Sequence, residues 1–161
     1  MQSEEYERIA TKYLNTVYRV AVSYTASHDD AEDIAQTTFL RLFQTSTEFQ
    51  DDEHIRRWLI HVAINECKRM WTSAWYKKVS ITEEYKEIIE QPQPEYEVLW
   101  EAIFSLPAKL RVVVHLYYFE GYRSKEIADI LHIRDATVRN RLSRARKLLK
   151  EFLKEGEEAY E

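Results

Sequence analysis

Two glycines, three prolines and a single cysteine are all that 161 residues contain of these types. Each scarcity closes off a class of protein. Gly121 and Gly156 lie far apart, so no glycine-rich loop can cradle a phosphate. Cys67 stands alone, which rules out an internal disulfide and leaves a small thiol expected in the core. His28, His54, His61, His115 and His132 are scattered without metal-ligand spacing, so no metal and no cofactor is expected. An enzyme is disfavoured for the same reasons. No run approaches the roughly 18 consecutive apolar residues of a membrane span. The opening MQSEEYERIA is acidic and lacks the basic and apolar segments of a signal peptide. The expectation is a soluble, cytoplasmic monomer with no membrane insertion. Few glycines and prolines, together with little β-branched alternation, predict an all-α fold with short connections.

What is present is charge, and it is segregated. The formal net charge is -5. Residues 1–53 carry eleven acids and four bases, and residues 54–78 carry six bases and one acid. Residues 79–101 return to seven acids and one base, and residues 123–150 carry nine bases and three acids. Two basic blocks between acidic ones suggest two nucleic-acid contacts on one chain.

The last fifty residues explain the second block. Ser124 to Leu131 (SKEIADIL) reads as a short amphipathic helix, His132 to Arg134 as a tight turn, and Asp135 to Phe152 as a longer helix. This is the helix-turn-helix arrangement, whose second helix enters the DNA major groove. Val138, Leu142, Ala145, Leu149 and Phe152 recur at spacings of four and three and form its buried stripe. Arg139, Asn140, Ser143 and Arg144 fall on another side, and these are residue types that read base edges. Arg141, Arg146 and Lys147 suit phosphate contacts or solvated charge. An ordinary basic surface helix would account for the charge but not for the lengths of the preceding helix and turn.

Periodicity places further helices upstream. The first runs from Ser3 to Tyr24, with Tyr6, Ile9, Ala10, Tyr13, Leu14, Val17, Tyr18 and Ala21 apolar along one stripe. The second starts at Asp29 as N-cap, with Glu32 completing a capping box, and buries Ile34, Ala35, Phe39, Leu42 and Phe43. A polar loop follows, and a third helix covers Asp52 to Trp71. In it Glu66 interrupts the apolar spacing, while Trp58, His61 and Asn65 can share a face. Pro92 and Pro94 break a linker over residues 79–94. A fourth helix starts near Glu95, and a fifth covers Ala108 to Phe119 with Pro107 in its first turn. Gly121 stops it. The acidic tail after Glu155 is expected to fray.

HDDAEDIAQTTFLRLF at residues 28–43, IRRWLIHVAIN at residues 55–65 and the run from Leu106 to Leu149 together resemble the extracytoplasmic-function sigma factors of bacteria. Within the last run stand L-P-x-x-x-R, E-G-Y, K-E-I-A-x-I-L and T-V-R-x-R-L-S-R-A-R, in that order. The resemblance implies two small helical domains joined by a linker: residues 1–78 for core RNA polymerase and the -10 element, 79–94 as linker, 95–155 for the -35 duplex, and 156–161 as tail. It implies a transcription initiation factor whose partners are core RNA polymerase, promoter DNA and an anti-sigma factor, which in this family is often membrane-bound. The polymerase-binding positions map onto Asp30, Asp33, Gln36, Thr37, Phe39 and Leu40, where Thr37 replaces the family's usual Glu. The -10 positions map onto Arg56, Arg57, Trp58, His61, Asn65, Lys68 and Arg69, with residues 44–54 as a pocket wall and Arg69 where the family often has Asp. The -35 positions map onto Arg139, Asn140, Ser143 and Arg144, flanked by Arg141 and Lys147. His132 takes the place of a turn glycine, and Asp135 is expected to cap in place of Arg134. A helix-turn-helix regulator that acts without being a polymerase subunit is the alternative; it would not need the first basic block with the acidic helix before it.

Overall fold

The computed structural model describes residues 1–72 and 94–159. Contacts divide the chain into two units, Met1–Val79 and Ser80–Glu161. The linker expected over residues 79–94 lies outside the described residues, except that Pro94 already begins a helix. Among the described residues no helix is long and apolar enough to cross a membrane.

The first unit is three helices: α1 (Ser3–Thr25), α2 (His28–Gln44) and α3 (Asp52–Thr72). Each contributes one apolar face, and all three pairs are in contact. Ile9, Val17 and Val20 from α1, Ile34 and Leu42 from α2, and Leu59, Ile60 and Ile64 from α3 are essentially fully buried. Each such side chain contributes about 1.5–3 kcal/mol by leaving water. Thr25 and Thr38 are buried among them, their hydroxyls donating to the carbonyls of Ala21 (2.9 Å) and Ile34 (2.7 Å), so neither is left unsatisfied. Cys67 is fully buried, and burial pushes its thiol well above the usual value, which leaves it inert at neutral pH.

Two local expectations change, and the end of α1 adds a third observation. Ser27, not Asp29, caps α2: its side chain accepts from the Asp30 backbone N–H at 3.2 Å. Leu14 and Phe43, expected on buried stripes, are 50% and 51% exposed. Ala26 closes α1 in the left-handed region at φ 54° without a glycine. The start of α3 is tied to α1 through Asp52. Its carboxylate accepts from Lys12 (2.6 Å) and Arg8 (3.2 Å), and the Lys12 hydrogen bond is the main cause holding it below the usual carboxylate range.

In the second unit, α4 (Pro94–Ser105) and α5 (Ala108–Val114) lead into a π-helical turn, His115–Phe119. The single helix expected to Phe119 therefore changes its hydrogen bonding half-way, and Pro107 stands before the helix as its N-cap. Glu120 is buried against His115, Oε2 to Nε2 at 2.9 Å. Gly121 at φ 78° makes the turn that a side chain would strain. α6 (Ser124–Leu131) and α7 (Asp135–Ala159) follow. α7 continues through Ala159, past the point where fraying was expected. Asp135 is its first residue and not its cap, because the Arg134 carbonyl already accepts from Val138 N–H at 3.2 Å.

His132 ends α6 with φ 55° and ψ 44°, the left-handed conformation that glycine usually supplies. An L-residue there costs about 1–2 kcal/mol. His132→Gly is expected to stabilise the α6–α7 turn by about 1 kcal/mol after the greater chain entropy of glycine is offset. Amide exchange at Ile133 and Val138 should slow accordingly; unchanged or faster exchange would contradict this.

Candidate nucleic-acid interface

The geometry starts from α7. Val138, Leu142 and Ala145 are buried, Leu149 and Phe152 are half-buried, and α6 packs against the helix with Ile127, Ile130 and Leu131. This pins the rotation of α7 about its axis. The opposite side carries Arg139, Asn140, Ser143, Arg144 and Lys147, all exposed, with Arg141 half-buried on the flank. Arg139 is held one turn back by Asp135 at 3.4 Å, while Arg144 has no ion-pair partner among the described residues. A rigid helix with a row of donors over two turns matches the entry of a recognition helix into the major groove. Arg146, read from sequence as a phosphate contact or a solvated charge, is exposed and also leans on a neighbouring pair of rings. Its Nε donates to the Tyr118 hydroxyl at 2.7 Å, and its guanidinium lies over the Tyr117 and Tyr118 rings.

A second basic surface lies between α2 and α3. A groove of about 690 Å³ is lined by Arg41, Gln44, Thr45, Trp58, Val62, Asn65, Glu66, Lys68 and Arg69. Of the seven residues expected at a single-strand site, Trp58, Asn65, Lys68 and Arg69 are brought together here. His61 does not line the groove but meets Asn65 beside it, Nε2 to Nδ2 at 3.0 Å. Arg56 and Arg57 do not line the groove, and Arg57 Nε donates instead to Glu53 at 3.1 Å. Trp58 is half-buried, with the Phe49 ring meeting it edge-on at 5.6 Å. That leaves it both a packing partner and part of a wall on which a base can stack. Of the expected loop wall only Gln44 and Thr45 face the groove; Asp52 to His54 are already helical, and Asp51 caps them by accepting from His54 N–H at 2.7 Å. Arg41 and Glu66 were missed as groove residues. Their signals were faint: one basic residue near the end of α2, and one acid inside a basic block.

The outer face of α2 is distinct from both. Asp33, Gln36 and Leu40 are exposed, Leu40 at 55%, and Asp30 and Thr37 are half-buried beside them. Phe39, expected both on the buried stripe of α2 and among the polymerase-binding positions, is 5% exposed and packs in the core while lining the groove between α1 and α2. Thr37 spends its hydroxyl on the Asp33 carbonyl at 3.0 Å. Next to this face a groove of about 890 Å³ runs between α1 and α2, with exposed Leu14, Leu40 and Phe43 along it and Tyr6 edge-on to Phe43 at 5.4 Å. Clustered exposed apolar side chains with an acidic border mark a surface for a partner.

The family comparisons follow the same division. Residues 9–76 match the model of sigma-70 region 2, and residues 96–149 match that of sigma-70, region 4. SigM of Bacillus subtilis, described as an ECF RNA polymerase sigma factor, is 29% identical over 93% of this chain and 96% of its own length. The chain belongs to the extracytoplasmic-function sigma factors of the sigma-70 family. RfaY of Xanthomonas campestris pv. campestris, described as a probable RNA polymerase sigma factor, is 31% identical over 93% of this chain, which spans only 40% of that protein. The sigma factor RpoE of Bartonella quintana, solved with the anti-sigma factor NepR, shares the fold at a TM-score of 0.71 and 24% identity, covering 94% of this chain and 98% of that one.

In this sigma factor, region 2 carries the α2 face and the α2–α3 groove, and region 4 carries α6 and the basic helix α7. Arg111, the arginine of the L-P-x-x-x-R run, is buried. It donates to the carbonyls of Phe104 (3.3 Å) and Leu106 (2.9 Å) at the end of α4. It thus supplies donors to carbonyls that a helix end leaves unpaired, and the cation opposes the helix dipole there.

Proposed function

We propose that the chain is a transcription initiation factor that binds core RNA polymerase through the outer face of α2, reads the -35 duplex with α7, and holds the unpaired -10 strand in the α2–α3 groove. The observation that carries this reading is the presence of both sigma-70 regions in one chain, each with its exposed surface of the expected chemistry. The acidic face of α2 suits a basic helical element of the polymerase. Arg139, Asn140, Ser143 and Arg144 suit base edges, while Lys147 and Arg141 suit phosphate. In the groove Trp58 offers stacking, Asn65 and Gln44 offer hydrogen bonds, and Lys68 and Arg69 offer charge. The factor itself catalyses nothing and works in the cytoplasm, where the polymerase is. A partner of the anti-sigma class, of the kind that accompanies RpoE of Bartonella quintana, would hold it inactive.

The reading is tested by gel filtration with core polymerase. Stoichiometric co-elution supports it. Sequence-specific DNA binding by the chain alone, with no association with core, would favour the helix-turn-helix regulator instead. Exchanging residues 44–54 for those of another family member is expected to move the -10 preference of the holoenzyme and leave its -35 preference in place. Selection from randomised promoters reads both. A swapped protein that stays active with unchanged -10 selectivity would put the base pocket elsewhere.

A further inference from the structure

Glu66 is the one acid among residues 54–78, a block that otherwise carries six bases. It sits inside the groove assigned above to the unpaired strand, a place where a negative charge repels every phosphate that approaches. Its side chain is only 14% exposed, and it is engaged from two sides. Arg41, from α2, donates to its Oε1 through Nε at 2.7 Å. Arg69, one turn along α3, places Nη1 3.4 Å from the same oxygen. The two arginines differ in freedom: Arg41 is 43% exposed at the shorter contact, Arg69 69% exposed at the longer one. Among the described residues that line the groove, one carboxylate therefore engages two of the three cations, Arg41 and Arg69.

We propose that Glu66 is a specificity-determining residue of the single-strand groove: its carboxylate competes with DNA phosphate for Arg69 and Arg41. The inference rests on the groove being the strand site. With Glu66 charged, Arg41 stays fixed as a wall, and Arg69 turns to a phosphate only when a strand is seated well enough to draw it away. Sequence-independent backbone attraction is thereby kept low, and stacking and amide contacts to the bases decide which strand stays. This is the use of a like charge against wrong partners, at the cost of some affinity for the right one. Replacing the carboxylate by its amide keeps the shape and removes the charge that holds both guanidinium groups, so a phosphate competes for them more easily.

The test uses the holoenzyme and two fluorescent probes, a strand selected by the holoenzyme from a random single-stranded pool and an oligothymidylate of the same length. Anisotropy titrations run across a range of salt. Glu66→Gln is expected to tighten the oligothymidylate several-fold at low salt and to narrow its gap to the selected strand. The plot of log affinity against log salt should steepen by roughly 0.7–1.4, one or two phosphates at about 0.7 each for single strands. In an Arg69→Ala background the same substitution should change the slope by about half as much or less. An unchanged slope and ratio, an equal change with and without Arg69, or loss of all strand binding with the helical signal intact would each overturn the proposal. Lys68→Ala separates this from the reading beneath it. If Lys68→Ala leaves both probes bound as before, the groove is not the strand site and both ideas fall. If it weakens binding while Glu66→Gln does nothing, only the role of Glu66 falls.

Discussion

Asp33→Arg combined with Gln36→Ala is expected to abolish co-purification with core RNA polymerase. Both side chains are exposed on the outer face of α2, while Ile34 and Ala35 between them point into the core. The double variant therefore keeps its packing, and its circular dichroism should match that of the unaltered chain. What changes is the field at the interface. An acid on the same exposed face as Leu40, two turns earlier, becomes a base, facing a partner expected to be basic. Like charges brought together at an interface cost several kcal/mol, enough to remove a micromolar complex from view. Retained stoichiometric binding would show that polymerase docks elsewhere, with the apolar α1–α2 groove the next surface to alter.

The second large effect belongs to α7. Arg144→Ala is expected to cost about 1–3 kcal/mol at the preferred -35 site and to relax the choice at one base pair, as loss of a bidentate contact to guanine does. Arg144 suits this test better than Arg139, since Arg139 is already shared with Asp135 and its removal would mix two effects. Lys147→Ala should instead weaken all sequences alike and lower the magnitude of the salt slope by about one. Binding of matched and mismatched -35 duplexes by the holoenzyme reads both. If Arg144→Ala weakened the two duplexes equally, Arg144 would be a phosphate contact, and specificity would rest on Arg139 and Asn140.

How much of this was legible in the sequence depended on range. The helix-turn-helix could be read because every signal in it is local: the 3.6-residue period of Val138, Leu142 and Ala145, the short turn, and a residue at His132 that tolerates a positive φ. Choosing between adjacent helix caps failed for a local reason too. Ser27 and Asp29 are equally good cap types, so residue type alone does not choose between them, and the helix starts from the earlier one. Phe39 was placed on the buried stripe of α2 by its period and is buried, whereas Phe43, one turn further along the same stripe, is half exposed. The contacts that most changed the picture of the site were long-range. Arg146 meets Tyr118 across 28 positions, and Arg41 meets Glu66 from another helix. Periodicity marks Glu66 as an exception in α3 but cannot say what the exception answers. The π-helical turn at His115–Phe119 was invisible for a related reason: the stretch reads as ordinary helix, and the buried Glu120–His115 contact accompanies a different hydrogen-bond pattern.

The central claim is that this chain turns a non-specific core polymerase into one that starts at chosen sites. Transcription in vitro measures it directly. Core RNA polymerase, freed of other sigma factors, is supplied with the purified chain and a library of genomic fragments, and the 5′ ends of the transcripts are mapped. The account predicts discrete start sites that appear only with the chain present and share two upstream elements, the distal one sensitive to Arg144→Ala. Random initiation no different from core alone, while the chain still binds a specific duplex by itself, would contradict it.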